Sequence, residues 1–179
     1  MSYKNNNAYI KVDSNGSLQS IDAIYLMYKD QIYRFVYRYS NDRQFSIDIV
    51  QDTFEKLLKK NYLYIPEKGN FKTYLFQIAY NTMMTKLKRR QKFKAILPFL
   101  AAESPHTFAL EEKLLVQKAV QSLSDEQRAV IILSFYHDLT QRETARILGI
   151  PVGTVKSRLH HALKKLKADL EVENDEESG

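Results

Sequence analysis

The sequence contains no cysteine, only 5 glycines and 4 prolines among its 179 residues, and no long run of apolar residues. The absence of cysteine excludes disulfides and thiolate metal sites. Its apolar runs are far shorter than the roughly 18 residues that a membrane-spanning helix requires. The N-terminus also has no apolar stretch of the signal-peptide type. We therefore expect a cytoplasmic protein without a membrane-inserted segment.

The shortage of glycine and proline also indicates the fold class. Hydrophobic residues make up 44% of the chain and charged residues 27%, which suits a soluble protein with a real core. With few helix breakers among many Leu, Ile, Lys, Gln and Glu residues, the composition predicts a mostly helical, all-α protein.

The charges are distributed unevenly along the chain. The formal net charge is +6, but the tail formed by residues 171–179 contains five acidic residues and no cation. Residues 1–170 therefore carry a formal charge of +11. A basic body with an acidic tail favours a polyanionic partner, with nucleic acid as the first candidate and an anionic membrane surface as the second.

The first half of the chain has the three- and four-residue apolar spacing of helices. Breakers such as Pro66 and Gly69 predict a loop over residues 64–70. The Asn-, Ser- and Gly-bearing residues 1–20 are predicted to be disordered. The predicted helices cover about residues 20–39, 45–60 and 71–92.

The middle of the chain, residues 93–109, contains two prolines and has no lasting period. We predict a flexible linker here, although its apolar run over 96–102 is unusual for a free linker. The linker would separate an N-terminal helical domain, residues 21–92, from a C-terminal domain, residues 110–170.

Two capping boxes predict helix starts in the second half. They are "SDEQ", which begins at Ser124, and "TQRE", which begins at Thr140. In each box, the first side chain accepts a hydrogen bond from the fourth amide, and the fourth side chain reaches back. A helix over about 110–122 precedes them, and an apolar helix over 129–136 lies between them.

The sequence after Thr140 has the pattern of a helix-turn-helix, whose second helix enters the DNA major groove. Ala145 is small where two helices would cross, Gly149 favours the left-handed turn that ends the first helix, and Val155 and Leu159 anchor the second helix. A merely solvated, cation-rich surface helix is the alternative. The residues predicted to contact DNA are Gly153, Thr154, Lys156, Ser157, Arg158, His160, His161 and Lys164, with Lys165 as a further phosphate contact.

Acidic residues form a separate pattern in the first half. Asp48, Asp52 and Glu55 are spaced by four and three residues and share one exposed stripe of a helix. An acidic stripe on a basic protein should not face DNA, so it favours a basic protein partner, with a solvated surface as the alternative. We expect no metal here, because no histidine lies nearby, and the chain calls for no cofactor.

Cations and aromatic residues are concentrated in the third helix and the loop before it. Six cations fall within residues 86–94, a density that favours a phosphate backbone. Aromatic residues beside cations suit single-stranded bases, which stack on rings. For Phe71, Leu75 and Phe76 we expect a place in the core instead.

These patterns together resemble a bacterial extracytoplasmic-function (ECF) sigma factor. The sequence "SLSDEQRAVIILSFYHDLTQRETARILGIPVGTVKSRLHHALKKL" resembles the promoter-binding C-terminal domain of that family. The segments "DIVQDTFEKLL" and "NFKTYLFQIAYN" resemble its N-terminal domain, in the expected order. The resemblance covers about residues 21–170 and implies two small helical domains, the C-terminal one a helix-turn-helix.

The resemblance also implies a function. It implies an alternative sigma factor, not an enzyme, which directs core RNA polymerase to promoters, reads the −35 element and melts the −10 element. Implied partners are promoter DNA, the polymerase β′ clamp helices and β subunit, and an anti-sigma factor. The implied polymerase-binding residues are Asp48, Gln51, Asp52, Phe54 and Glu55.

The resemblance assigns the −10 element to the third helix and to a base pocket formed by the loop at residues 61–70. Tyr74 stands where many members have Trp, Thr85 where Asp is usual, and Thr144 where an apolar residue is usual. The implied −10 contacts are Tyr62, Tyr64, Lys68, Asn70, Tyr74, Asn81, Lys88, Arg89 and Arg90.

Two other functions remain open at the level of sequence. One is a conventional helix-turn-helix regulator that binds duplex DNA without polymerase. The other is a helical nuclease with a metal held by Asp48, Asp52 and Glu55.

Overall fold

A computed structural model describes residues 9–12, 17–60, 64–96 and 111–177 of the chain. The predicted all-α architecture is confirmed. Residues 66–68 form a single 3-10 turn before the third helix. The helices are α1 (Ile21–Ser40), α2 (Arg43–Lys60), α3 (Phe71–Ile96), α4 (Glu111–Ser122), α5 (Asp125–Ile131), α6 (Gln141–Leu148) and α7 (Val152–Glu177), with a π-helical turn, Ile132–Tyr136, directly after α5.

A short antiparallel hairpin precedes α1. Strand β1 (Tyr9–Lys11) pairs with β2 (Leu18–Ser20). Ile10 is buried in the core at 1% exposure, and the Tyr64 hydroxyl donates to the Val12 carbonyl at 3.1 Å. The prediction of disorder over residues 1–20 is therefore wrong for residues 9–12 and 17–20. Strands of three residues are too short to produce a periodic pattern.

The N-terminal domain is a three-helix unit with a core shared by all three helices. Each helix buries one stripe of apolar residues against the other two, which removes that stripe from water. The fully buried side chains include Ile32, Phe35 and Val36 of α1, Ile49 and Leu57 of α2, and Leu75, Phe76, Ala79 and Met83 of α3.

Local signals set the ends of these helices. The Ser20 side chain accepts a hydrogen bond from the Ala23 amide at the start of α1. Asn41 ends α1 in the left-handed conformation, with φ of 52°. The Asp42 carboxylate then accepts from the Phe45 amide at 2.8 Å and starts α2. Asn and Asp are favoured in these roles because their short polar side chains tolerate or cap such positions.

Helix α3 is longer than the sequence predicted. It continues to Ile96, about 39 Å from its start at 1.5 Å per residue. The predicted linker over residues 93–109 is therefore wrong for 93–96, which continue the helix. Residues 97–110 lie outside the described residues, and so does the bulk of the apolar run at 96–102.

Both predicted capping boxes in the C-terminal domain are confirmed. The Gln127 amide donates to Ser124 Oγ at 3.3 Å, and the Ser124 amide donates to the Gln127 side chain at 3.3 Å. At α6, the Glu143 amide donates to Thr140 Oγ1 at 3.3 Å, and the Thr140 amide donates to Glu143 Oε2 at 2.8 Å. The reciprocal hydrogen bonds of these two capping boxes set the starts of α5 and α6.

The apolar helix predicted over residues 129–136 has a different form. Helix α5 already begins at its cap, and residues 132–136 form a π-helical turn. This wider turn leaves Phe135 57% exposed and is followed by His137, which is buried. The change of pitch cannot be seen in the sequence, because both helix types present runs of apolar residues.

The helix-turn-helix is confirmed. Gly149 ends α6 with φ of 66°, and the Ile150 amide donates to the Ala145 carbonyl at 3.0 Å. Val155 and Leu159 of α7 are buried as predicted. Helix α7 continues to Glu177, so residues 171–177 of the predicted acidic tail are helical.

The two domains are in contact, and Arg128 lies at their junction. Its guanidinium donates to the carbonyl of Tyr39 in α1 at 3.2 Å and to those of Gln121 and Leu123 in the C-terminal domain at 2.7 and 2.9 Å. The Tyr39 hydroxyl donates in turn to the Asp125 carbonyl at 3.4 Å. Charged hydrogen bonds thus join the end of α1 to the start of α5.

Within the described residues, no helix combines the length and apolar character needed to cross a membrane.

The turn between α6 and α7 generates a prediction about stability. A Cβ atom added at Gly149 would meet nothing within 4 Å, so only backbone strain would oppose Gly149→Ala. We expect this change to lower the free energy of unfolding by about 1–2 kcal/mol, measured by urea titration. Gly149→Asn is the matched control and should cost less, because Asn tolerates the left-handed conformation. Unchanged stability of Gly149→Ala would contradict the assigned turn.

Candidate functional site

The predicted acidic stripe of α2 is divided between two surroundings. Asp52 faces α3, where its carboxylate lies 2.8 Å from Lys86 Nζ. Asp48 accepts a hydrogen bond from Gln44 at 3.0 Å, and Glu55 accepts one from Gln51 at 3.3 Å. The stripe is therefore a partly neutralised ridge rather than a row of free carboxylates.

A groove of about 480 Å³ runs beside this ridge, between α1 and α2. Gln51 and Glu55 line the groove, so their polar groups lie beside its apolar side chains. Phe54 is 6% exposed and packs edge-on against Tyr25 with ring centroids 4.9 Å apart, so it forms part of the groove wall. The groove joins apolar and acidic surface, which suits a protein partner with both apolar and basic side chains. The exposed apolar side chains along the groove are Tyr25, Ile47 and Leu58.

The cations of α3 are not equivalent. Arg90 lies 2.8 Å from the Asp42 carboxylate and over the Phe45 ring at 4.2 Å, so part of its charge is satisfied internally. Lys88 and Arg89 are exposed on the same helix. Although burial alone would raise the pKa of Asp42, hydrogen bonds from the Phe45 amide and Arg90 lower it below its ordinary value. Lys88 and Arg89 are thus better placed than Arg90 to meet a phosphate backbone.

A cavity of about 300 Å³ lies at the start of α3, beside the loop for which the sequence predicts a base pocket. The rings of Tyr64 and Tyr74 form one side, with centroids 5.4 Å apart at 37°. Asn70 lies at the rim, and its Oδ1 caps α3 by accepting from the Thr73 amide at 2.8 Å. Aromatic faces beside an amide can stack a base and hydrogen-bond its edge.

Other predicted −10 residues lie apart from this cavity or outside the described part. Asn81 is exposed more than two turns further along α3. Tyr62 and the side chain of Lys68 lie outside the described residues. The cavity also has walls that the sequence did not indicate, namely Thr73, Gln77 and Arg146.

Arg146 is unexpected at this site because it belongs to α6 of the C-terminal domain. Its guanidinium lies where a methyl group at Gly69 would overlap it, and Gly69 has φ of 153°. Its carbonyl accepts a hydrogen bond from Gln77 at 3.2 Å. The helix-turn-helix domain therefore supplies one wall of the cavity on the N-terminal domain.

Glu143, one turn before Arg146, joins the same two helices. Asn70 Nδ2 donates a short hydrogen bond to its Oε1, and Thr73 Oγ1 donates to the same oxygen at 3.3 Å. Partial burial alone would raise the pKa of Glu143. The hydrogen bonds from Thr140 and from these α3 side chains outweigh burial and lower its pKa below its ordinary value. The carboxylate is therefore ionised where it meets α3.

His137 forms a second contact between the domains. Its ring lies edge-on to Phe76 and Phe35, with centroid distances of 4.9 and 5.9 Å, and its carbonyl accepts from Lys72 Nζ at 2.7 Å. Burial, followed by the positive charges of Arg38 and Lys72, lowers the pKa of His137 to about 4. Its buried Nε2 has no hydrogen-bond partner among the described residues. The ring is therefore neutral at physiological pH.

Helix α7 presents the predicted DNA-reading face to solvent. Thr154 and Arg158 are half-buried, and Arg158 is close enough to Tyr80 of α3 to influence that hydroxyl electrostatically. The exposed Lys165 also has a partner within its own domain, since its Nζ donates to the Ser122 carbonyl at 2.6 Å. A Cβ atom at Gly153 would meet nothing within 4 Å, so the backbone there is open to a close approach. The exposed members of the predicted set are Gly153, Lys156, Ser157, His160, His161 and Lys164.

Across the described ranges, no group of three His, Asp or Glu side chains is arranged to hold a metal ion.

Comparison with known proteins identifies the family of this chain. Residues 24–93 match sigma-70 region 2, and residues 113–166 match sigma-70 region 4. Over 125 residues, the chain is 30% identical to the ECF RNA polymerase sigma factor RpoE of Cereibacter sphaeroides, which covers 67% of this chain and 69% of that protein. The chain belongs to the ECF sigma factors.

Two further relatives agree with this assignment. The ECF sigma factor SigE of Mycolicibacterium smegmatis is 30% identical over 162 residues, covering 84% of this chain and 62% of that longer protein. The solved sigma factor RpoE of Bartonella quintana, in complex with the anti-sigma factor NepR, superposes with a TM-score of 0.73 at 26% identity. That match covers 84% of this chain and 96% of the solved chain. The ECF sigma factor fold thus extends over both domains described above.

Proposed function

We propose that this ECF sigma factor directs core RNA polymerase to promoters by dividing the work between its two domains. Helix α7 reads the −35 element as duplex DNA, and the cavity and cations of α3 hold the −10 element after it melts. The observation that carries the proposal is the presence of both sigma regions in one chain, since a helix-turn-helix alone would equally suit a regulator.

The −35 assignment rests on the exposed face of α7. Lys156 and His160 are exposed four residues apart, and each lies about 100° around the helix from the buried Val155 or Leu159 that precedes it. Lysine can donate to the acceptors of guanine in the major groove, and backbone amides at the start of a helix favour phosphate. The other predicted −35 residues surround this pair.

The −10 assignment rests on the cavity at the start of α3. A flipped base needs aromatic stacking and edge contacts in a confined space, and Tyr64, Tyr74 and Asn70 supply these groups. Lys88 and Arg89 extend the site along α3 with charges suited to the backbone. Tyr74 can stack a base, although many family members have Trp at this position.

We assign polymerase docking to the ridge and groove of α2. Asp48, Gln51, Asp52 and Glu55 would meet basic groups of the β′ clamp helices, while Phe54 supports the groove from within. Contacts with the β subunit and residence in the cytoplasm follow from the same proposal. The anti-sigma factor bound to the Bartonella quintana protein makes a protein of that class a further candidate partner.

Transcription in vitro tests the proposal as a whole. Purified core polymerase on genomic promoter fragments should give defined start sites only when this protein is added. The protein alone should bind the same fragments weakly. Tight, specific binding by the free protein, with no effect on transcription, would instead favour a conventional regulator.

Removing one cation from α7 tests the −35 assignment. If Lys156 reads a base edge, Lys156→Ala should weaken −35 binding by about 1–3 kcal/mol, measured as promoter affinity of the reconstituted holoenzyme. Lys118→Ala removes the same charge from an exposed position of α4 and should have little effect. An unchanged promoter preference in Lys156→Ala would show that the residue does not read DNA.

Reversing one charge on α2 tests polymerase docking. Asp52→Lys should abolish association with core polymerase, measured by co-purification, because a cation replaces an anion on the docking ridge. The double variant Asp52→Lys, Lys86→Glu reverses the ion pair and preserves it, so it should fold normally and still fail to associate. Glu126→Lys makes the same charge change on α5 and should associate normally. Retention of core polymerase by the double variant would refute the docking assignment.

A further inference from the structure

A second groove, of about 550 Å³, lies between α1 and α4 and has no part in the function proposed above. None of the residues assigned to promoter DNA or to polymerase lines it. Its volume falls within the range of about 300–1,000 Å³ that is typical of small-molecule sites, which often form where two domains meet. The side chains that line this α1–α4 groove include Arg34, Tyr37, Arg38, Val116, Val120 and Tyr136.

Two guanidinium groups give the α1–α4 groove its charge. Arg34 and Arg38 stand one turn apart on α1, so they lie on the same side of that helix. Neither forms an ion pair with a carboxylate among the described residues. Arg34 Nε donates to the Asp30 carbonyl at 3.2 Å, and the Arg38 guanidinium lies over the Tyr136 ring at 4.4 Å. Neither contact uses all five N–H donors of its guanidinium, so both groups can still bind an oxyanion.

The buried His137 shows that positive charge converges beside this groove. It directly follows Tyr136 in the chain, and its pKa is lowered by burial and then by the charges of Arg38, Lys72 and Arg34. Three cations from α1 and α3 therefore act on one buried position. Cations held close together repel one another, and a bound anion reduces that repulsion. The charge of the groove thus favours an anionic ligand.

The rest of the groove is apolar and favours an aliphatic body over a flat aromatic one. Val120 is buried, whereas Val116 and Tyr136 are 43% and 39% exposed. The ring of Tyr37 is stacked on that of Tyr33 at 5.8 Å, and Arg38 covers one face of Tyr136. Each ring that lines the groove therefore has one face already occupied, which restricts stacking. A flexible chain can instead follow the ring edges and the methyl groups of the valines.

We propose that the α1–α4 groove binds a small amphipathic anion that is free in solution, an aliphatic chain ending in a carboxylate or a phosphate. Arg34 and Arg38 hold the oxyanion through charge-assisted hydrogen bonds. The chain lies along Val116 and Val120 and is removed from water. Because these walls belong to α1 and α4, the ligand contacts both domains, and its binding raises the melting temperature.

Decanoate, kept below the concentration at which it forms micelles, is the probe for the full-length protein. Isothermal titration calorimetry should show one saturable site, and the melting temperature should rise with decanoate concentration. Decyltrimethylammonium has the same chain with the opposite charge, and acetate has the same head without the chain. Each should bind at least about tenfold more weakly than decanoate, because each lacks one half of the recognition. Decyl phosphate should bind in the same site and displace decanoate.

Two variants test the residues that carry the proposal. Arg34→Gln with Arg38→Gln should weaken decanoate binding by about tenfold or more, because both guanidinium groups are lost. The control, Arg43→Gln with Arg142→Gln, removes the same charge from exposed positions outside the groove and should bind decanoate normally. Val116→Asp keeps both arginines but adds a carboxylate to the exposed wall, so it should also weaken binding. Circular dichroism verifies that each variant is folded, and Val116→Asp provides the test if the double variant is not.

Four outcomes would overturn the proposal. The first is equal decanoate affinity in a folded groove variant and in the control, and the second is equal binding of decanoate and decyltrimethylammonium. The third is binding to vesicles of anionic lipid with no binding of free decanoate, which would assign these cations to a membrane surface. The fourth is tight binding of an acidic amphipathic peptide without a saturable decanoate site, which would assign the groove to a protein partner. None of these outcomes bears on transcription in vitro, so the proposed function is tested separately.

Discussion

The carboxylate of Glu143 supports both the helix-turn-helix and the contact between the domains. Its Oε2 caps α6 through the Thr140 amide and hydroxyl, while its Oε1 accepts from Asn70 and Thr73 of α3. An ionised carboxylate has enough lone pairs for both sets of hydrogen bonds. The residue that caps the first helix of the helix-turn-helix therefore also holds that helix against the start of α3.

The sequence predicted features that depend on neighbours along the chain. The capping residues Ser124 and Thr140 and the left-handed Gly149 were predicted because their hydrogen bonds and dihedral angles are set within a few residues. The three- and four-residue spacing of apolar residues predicted the long helices of the first half. The β-hairpin was missed because strands of three residues produce no periodic pattern, and the π-helical turn was missed because both helix types present runs of apolar residues. The docking of α6 on α3 was missed because it depends on contacts between residues far apart in the chain. Arg146 illustrates the difference, since nothing in its local sequence indicates that it faces Gly69 in the other domain.

Internal pairing divides the cations of this ECF sigma factor into two groups. In α3, Lys86 and Arg90 are bound to Asp52 and Asp42, so they join α3 to α2 and contribute less charge to the surface. Partly exposed pairs of this kind contribute little stability, typically below about 1 kcal/mol. A phosphate backbone or a basic partner could therefore displace them at small cost. The paired cations of α3 must therefore exchange a partner before they bind DNA. The exposed cations of α7 need no such exchange, because they already face solvent.

The length of the segment between the domains allows the division of work that the proposed function requires. The 14 residues from 97 to 110 can span at most about 50 Å when extended. A link of that reach allows each domain to bind DNA at some distance from the other. The same covalent link holds α6 at a high effective concentration near α3, so modest hydrogen bonds suffice to keep these two helices in contact.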